Sequence, residues 1–152
     1  MAIREIVKQG DPVLRKLSRP VTEFNEKLHV LMDDMFDTMY KAEGCGLAAP
    51  QVGILRKVIV VDCGDNGGKV EMVNPEIISS SGETGMNEGC LSFPGKSGYV
   101  LRAYKIKVSY QTRYGEKKTE TFKDFIARAL QHEIDHLHGI LYIDKATEAR
   151  KD

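Results

Sequence analysis

Two histidines and a glutamate occur within five consecutive residues of the sequence, in the segment His132-Glu133-Ile134-Asp135-His136. In an α-helix, a four-residue step turns the chain by about 400°, so the two imidazoles point roughly 40° apart and can share a metal ion. Glu133 falls about 100° from His132, where its carboxylate can reach a metal-activated water without being a ligand itself. The spacing therefore predicts a catalytic metal site with a general base.

A catalytic metal ion usually has three protein ligands and one open position, so a third ligand must come from elsewhere in the chain. The only histidine after His136 is His138, which the helix turns about 160° away from the pair, so the third-histidine pattern of metalloproteases fails. We expect ordinary surface or packing roles for His138 and His29. The remaining candidates are the three cysteines Cys45, Cys63 and Cys90. From chemistry alone, Cys90 ranks only modestly above the other two.

The elements that position these residues follow from the apolar pattern. A helix capped by Asp124 and stopped by Gly139 would carry the histidine segment, with a core face beside the metal face. A second, amphipathic helix is predicted after Asn25 by an apolar stripe at three- and four-residue spacing: Leu28, Leu31, Met32, Met35, Phe36, Met39 and Tyr40. Short β-branched runs separated by glycine turns lie between them, including a hairpin around Tyr114-Gly115.

This order of elements predicts an α+β fold. We expect residues 1–152 to form a single compact catalytic domain, in which short, mainly antiparallel strands pack around a C-terminal metal-binding helix, with a long amphipathic N-terminal helix.

Lys plus Arg and Asp plus Glu both number 22, which argues against direct nucleic-acid binding. No stretch approaches the ~20 apolar residues that span a bilayer, so we expect a cytoplasmic protein without membrane attachment. The odd number of cysteines, 3, favours reduced thiols.

Two further segments accompany the histidine segment: Gly44-Cys45-Gly46-Leu47-Ala48-Ala49-Pro50-Gln51 and Glu88-Gly89-Cys90-Leu91-Ser92. Together with Gln131-His132-Glu133-Ile134-Asp135-His136-Leu137, they resemble the three motifs of the peptide deformylase family, in the same order. Cys45 stands where that family more often has an aliphatic residue, which places a second thiol near the metal.

The resemblance implies hydrolytic removal of the formyl group from the N-terminal formyl-methionine of newly made polypeptides. By motif position, it implies that Cys90, His132 and His136 are the metal ligands and that Glu133 is the acid/base. It further implies oxyanion stabilisation by Gln51 and the Leu91 N–H. The same motifs place Gly46 and Gly89 along the bound peptide.

The cofactor implied by the resemblance is one divalent ion, ferrous iron in the cell, with zinc, nickel or cobalt as substitutes. We expect nascent formyl-methionyl peptides as partners, a transient ribosome contact and a monomer. The resemblance also implies an apolar pocket for the methionine side chain. Two alternatives stay open: a metalloprotease with the same helix motif, and a non-enzymatic module in which the metal only stabilises the fold. Glu88 and Asp135 are equally compatible with orienting the imidazoles and with structural roles.

Overall fold

In the computed structural model, residues 2–147 are described, so the predicted domain 1–152 extends beyond them at both ends. The apolar stripe predicted after Asn25 forms helix α1 (Glu26–Lys41), and the Asn25 side chain accepts a hydrogen bond from Leu28 N at 3.2 Å. All members of the stripe are buried except Tyr40, which is 46% exposed. Its hydroxyl donates to Asp62 at 2.6 Å, so Tyr40 borders the core face instead of belonging to it.

The part of the chain that the structure describes contains eight strands. They are β1 (Gly46–Ala48), β2 (Val58–Asp62), β3 (Lys69–Ser81), β4 (Thr84–Glu88), β5 (Gly98–Arg102), β6 (Lys105–Gln111), β7 (Lys117–Lys123) and β8 (Ala146–Thr147). Five of them form an antiparallel sheet in the order β1-β2-β3-β6-β7, and β4-β5-β8 form a second antiparallel sheet. The hairpin predicted around Tyr114-Gly115 is confirmed as the β6–β7 pair.

The larger sheet is covered by a helix on each face. Successive side chains of a strand point to opposite faces, and in β2 Val58 and Val60 pack in the cluster of α1, whereas Ile59 and Val61 pack in the cluster of the last long helix. A strand covered on both faces becomes a continuous apolar run, as β2 is. The predicted α+β fold with mainly antiparallel strands is confirmed.

Helix α2 (Phe125–His136) carries the histidine segment. Its Ile126, Leu130 and Ile134 belong to the same buried cluster as Ile59 of the sheet. Asp124 precedes the helix as predicted, but its side chain makes no capping hydrogen bond and its φ is +66°, so the expected side-chain cap was wrong. No helix among residues 2–147 is both long and apolar enough to cross a membrane.

The remaining elements are short. Asp11 accepts a hydrogen bond from Val13 N at 3.0 Å at the start of a short 3-10 turn (Pro12–Arg15). A second 3-10 turn (Ala49–Val52) follows β1 and carries Gln51. The helical turn α3 (Tyr142–Lys145) leads into β8. These segments hold Gln51 and Tyr142 near α2, where the predicted site lies.

Candidate metal centre

Helix α2 presents His132 and His136 one turn apart, with their ring centroids 5.2 Å from each other. The loop after β4 brings Cys90 against them, and its Sγ lies 3.4 Å from His136 Nε2. One candidate ligand atom from each of these three residues lies within 4.8 Å of the others. Of the three cysteines considered from the sequence, the structure brings Cys90 to the histidines.

These three side chains fit a tetrahedral ion. Metal–sulfur and metal–nitrogen distances of about 2.3 and 2.05 Å place two ligand atoms of a tetrahedral site about 3.6 Å apart, close to the 3.4 Å between Cys90 Sγ and His136 Nε2. His132 Nδ1 is engaged with Glu88 at 3.0 Å, which leaves His132 Nε2 for the ion. Within residues 2–147, this is also the one cluster of three or more metal-ligating side chains. The chain therefore contains a site for a divalent metal ion.

Glu133 lies beside this cluster with little access to solvent. Its carboxylate is 5% exposed, and Oε1 has no hydrogen-bond partner among the described residues. Burial raises the pKa of Glu133 to about 7, because the charged form loses hydration. A carboxylate with a pKa near neutrality can both accept and donate a proton. The geometry therefore suits the acid/base role expected for Glu133.

The close approach of β1 to Glu133 requires a glycine. A Cβ placed on Gly46 would lie 2.5 Å from Glu133 Oε2, well inside van der Waals contact, so any larger residue would displace the carboxylate. Gly89 differs, because a Cβ there would meet only the Lys96 carbonyl oxygen at 3.5 Å. Both glycines line the cleft in front of the metal cluster, where the sequence predicted the substrate backbone.

The His132 ring is held on two sides. Its Nδ1–H donates to Glu88 at 3.0 Å, and the Tyr142 ring stacks on it with a centroid distance of 6.0 Å. Burial favours the neutral imidazole, but hydrogen bonds to Cys90 and Glu88 outweigh it and raise the pKa of His132 to about 10, so a metal ion that binds His132 Nε2 displaces a proton from the ring. Burial instead lowers the pKa of His136 to about 3. His136 is thus kept neutral, the form that binds a metal.

Glu88, whose role the sequence left open, is the centre of a buried ionic network. Arg102 donates to both of its carboxylate oxygens, at 2.6 and 2.9 Å, and Arg128 donates a further hydrogen bond to Oε2. Burial opposes ionisation of Glu88, but hydrogen bonds from His132 and Arg102 lower its pKa to about 2. The carboxylate therefore stays charged and accepts a hydrogen bond from His132 Nδ1–H. This hydrogen bond fixes the orientation of the imidazole ring.

Sequence reasoning missed both arginines. Arg128 lies on α2, one turn before His132, in an otherwise apolar stretch, and this charged residue on the same face was a signal that could have been used. Arg102 has no comparable local signal: it lies opposite Thr84 in the β4–β5 pair, and only the folded chain brings its guanidinium to Glu88. Asp135 contacts Arg102 at 3.0 Å and Lys145 at 3.1 Å, so it supports this network.

Gln51 points its amide toward the metal cluster. Its Oε1 accepts a hydrogen bond from Ala48 N at 2.9 Å, while Nε2 donates to Ser92 Oγ at 3.1 Å and approaches Cys90 Sγ at 3.5 Å. Gln51 is 1% exposed, so these hydrogen bonds and the surrounding residues hold its amide in one orientation. Leu91 follows Cys90 and lines the same cleft.

A cleft of about 580 Å³ opens in front of these residues, within the usual range for small-molecule and peptide subsites. Its lining contains Gln51, Cys90, His132 and Glu133. The same lining includes the apolar side chains of Met86, Phe125 and Ala129. Cys45 also lines this cleft. A hydrogen bond with Cys63 lowers the pKa of the Cys45 thiol to about 6, and the same contact raises the pKa of Cys63.

Comparison with known proteins agrees with this arrangement. A sequence profile described as polypeptide deformylase matches residues 3–152. The chain belongs to the peptide deformylase family. A peptide deformylase from Halothermothrix orenii is 53% identical over 145 residues, which are 95% of this chain and 94% of that protein. The match therefore extends well beyond the three motifs.

Solved structures of the family share the fold. The crystal structure of peptide deformylase from Thermotoga maritima superposes with a TM-score of 0.92 at 44% identity, covering 95% of this chain and 98% of that one. A class I type b peptide deformylase from Acinetobacter baumannii with Met-Ala-Ser bound gives a TM-score of 0.91 at 39% identity, covering 94% of this chain and 98% of that one. The resemblance inferred from the sequence is confirmed, and neither the metalloprotease nor the non-enzymatic alternative is favoured.

Proposed function

We propose that this chain is a metal-dependent hydrolase that removes the formyl group from the N-terminal formyl-methionine of newly synthesised polypeptides. The observation that carries the proposal is the convergence of the buried, unpartnered Glu133 carboxylate and the Gln51 amide on the Cys90, His132 and His136 cluster. A purely structural metal site would have no need of a buried base. Membership of the peptide deformylase family supports the same conclusion.

Each residue has one task in this reaction. A bound divalent ion would lower the pKa of its water ligand and polarise the formyl carbonyl. Glu133 accepts the proton of the attacking water and afterwards donates it to the departing amine. Gln51 Nε2 and the Leu91 N–H donate hydrogen bonds to the oxygen that becomes negatively charged, each worth about 3 kcal/mol in a dry site.

The cleft supports selection at both ends of the substrate. We infer that the methionine side chain packs on the apolar lining of the cleft, where Met86, Phe125 and Ala129 offer aliphatic and aromatic contacts. The peptide backbone then passes Gly46 and Gly89. At the other end, the close packing of Gly46 on Glu133 leaves little room beside the reacting carbon, which favours a formyl group over larger acyl groups.

We propose ferrous iron as the ion used in the cell, with nickel, cobalt or zinc as substitutes. One thiolate and two imidazoles suit several first-row divalent ions, so identity depends on availability as well as affinity. For the protein's setting, we propose one catalytic domain over residues 1–152, which acts as a cytoplasmic monomer on nascent chains. We propose a transient ribosome contact without direct binding to nucleic acid.

The test is turnover of formyl-Met-Ala-Ser by metal-loaded protein and by its Glu133→Ala variant. We expect the variant to keep its metal and fold, because no ligand is lost, while kcat/KM falls by about 10²–10⁴-fold with the loss of the base. His138→Ala is the matched control, since His138 is exposed at the end of the same helix segment. It should retain parental turnover.

Two outcomes would contradict the proposal. Unchanged turnover in the metal-loaded Glu133→Ala variant would show that Glu133 is not the acid/base. Cleavage of peptide bonds in unformylated Met-Ala-Ser, with no formate released from the formylated peptide, would favour the metalloprotease alternative.

A further inference from the structure

Two cysteines outside the metal cluster meet at paired strand ends. Cys45 immediately precedes β1 and Cys63 immediately follows β2, and these strands pair antiparallel with Gly46 opposite Val61. Asp62 N donates to the Cys45 carbonyl oxygen at 2.9 Å, so the pairing continues to Cys45. The two thiols are free and close enough to shift each other's pKa in opposite directions. Neither has a task in the proposed hydrolysis.

The surroundings of the two thiols differ in a way that assigns them different chemistry. Cys45 is exposed and lines the cleft, so a small oxidant can reach its sulfur. Cys63 is only 8% exposed and packs in the core cluster that includes Ile126 and Leu130 of α2. An S–H donated by Cys63 stabilises a thiolate on Cys45, and the thiolate is the reactive form of cysteine.

We propose that Cys45 and Cys63 form a peroxide-sensitive dithiol that closes to a disulfide in the wall of the substrate cleft. The Cys45 thiolate attacks one oxygen of hydrogen peroxide, the O–O bond breaks, and Cys45 sulfenic acid and hydroxide form. The Cys63 sulfur then attacks the Cys45 sulfur, and the sulfenic oxygen leaves as water. The two thiols lose two electrons in total, and the peroxide is reduced to two waters.

The backbone arrangement permits this bond. The register places Asp62 opposite Cys45, and Cys63 lies one residue beyond Asp62. With strands about 4.8 Å apart and a rise of about 3.4 Å per residue, the Cα atoms of Cys45 and Cys63 lie about 6 Å apart, within the range of about 4.4–6.8 Å that a disulfide needs. Closing the bond would draw the Cys45 sulfur out of the cleft toward the end of β2. Because Gly46 follows Cys45 and packs directly on Glu133, the change would reach the catalytic side of the cleft and lower turnover until the disulfide is reduced.

Cys90 competes with Cys45 for reaction with peroxide, and its contacts differ from those of Cys45 and Cys63. It approaches Gln51 Nε2 and His136 Nε2 and is a proposed metal ligand, so metal loading occupies its sulfur. The competition is therefore best tested on metal-loaded protein, with nickel as a metal that resists oxidation.

The experiment treats nickel-loaded protein with hydrogen peroxide, blocks the remaining thiols with an alkylating reagent and maps the products after tryptic digestion. The three cysteines fall in separate tryptic peptides, residues 42–56, 58–69 and 70–96. We expect a cross-linked pair of peptides 42–56 and 58–69, with a mass lower by two hydrogens than the sum of its parts. Two of the three thiols should be lost, Cys90 should remain alkylated, and dithiothreitol should restore all three.

Two variants separate the roles of the sulfurs. In Cys63→Ser, the cross-link should be absent and Cys45 should accumulate as a sulfenic acid that a dimedone reagent traps. In Cys45→Ser, which changes an exposed residue, Cys63 should stay reduced at the peroxide dose that cross-links the parent. Oxidation of Cys63 at the parental rate in Cys45→Ser would overturn the proposal. So would a parent protein in which Cys45 stays reduced, or in which the cross-link joins peptide 70–96.

Discussion

The ionic network behind His132 makes a quantitative prediction for Glu88→Gln. The substitution keeps the size of the side chain and one oxygen that can accept the His132 Nδ1 proton, but it removes the negative charge. Arg102 and Arg128, each 4% exposed, then lose the carboxylate that they share. Arg102 retains Asp135 at 3.0 Å, and Arg128 retains the Val100 carbonyl oxygen at 3.0 Å. Arg128 also retains the Thr84 carbonyl oxygen at 2.6 Å, so each cation keeps at least one acceptor.

The magnitude follows from these remaining contacts. Breaking a buried ion pair by neutralising one partner costs about 3–5 kcal/mol, and the retained acceptors place Glu88→Gln at the lower end, about 3 kcal/mol. For a chain of this size, each kcal/mol shifts Tm by about 2–4 °C, so Tm should fall by about 6–12 °C. Loss of a residue that orients a metal ligand typically weakens metal affinity by about 10–100-fold. This adds about 1.4–2.7 kcal/mol to the loss in metal-loaded protein.

The assay is denaturant unfolding of the parent and the variant, each with and without metal, together with a chelator competition for metal affinity. Asp144→Asn is the matched control, because Arg15 binds Asp144 with two hydrogen bonds, at 2.6 and 3.0 Å, on the protein surface. An exposed pair contributes about 0–1 kcal/mol. The control should therefore change stability little and leave metal affinity unchanged.

The reasoning would be refuted by a Glu88→Gln variant that loses no more stability than Asp144→Asn and binds metal as tightly as the parent. That result would mean that the two arginines are satisfied without the carboxylate and that the His132 ring is oriented by packing against Tyr142 alone. A loss of stability without a loss of metal affinity would separate the two roles and contradict only the orientation of His132.

Further predictions concern the ligands, the packing on Glu133 and the metal. Cys90→Ser should lose or weaken metal binding, whereas Cys63→Ser under reducing conditions should change neither metal content nor rate. Plasma emission analysis of both variants measures the metal content, and the reverse pattern would exclude Cys90 as the ligand. Gly46→Ala should retain metal but lose about 100-fold in kcat, since a Cβ 2.5 Å from Glu133 Oε2 displaces the base; parental kcat would contradict this. The iron form should lose activity in air while the nickel form stays active and the zinc form works slowly. Equal, stable activity of all forms, with zinc as the metal found in anaerobically purified protein, would argue against iron.

The local sequence was sufficient for the elements that depend on neighbouring residues. The stripe from Leu28 to Met39 predicted helix α1, because the helix period places apolar side chains on one face regardless of the rest of the chain. The Tyr114-Gly115 turn between β-branched runs predicted the hairpin for a similarly local reason. His132 and His136 could be assigned to one face of α2 for the same reason. Their spacing depends on helix geometry alone, so the metal face was visible in the sequence.

Tertiary structure decided which distant side chains meet. From residue chemistry alone, Cys90 ranked only modestly above Cys45 and Cys63, and the separation became clear only when the loop after β4 placed Cys90 Sγ 3.4 Å from His136. Arg102 contacts Glu88 across 14 residues, although the β4–β5 register places it opposite Thr84, and no local pattern encodes that contact. Such contacts depend on the register of the strands and on how distant segments of the chain pack against each other in the core. The sequence by itself thus determined the metal-binding face and the family, while only the folded chain determined the buried charges that orient His132 and the thiol pair at the edge of the cleft.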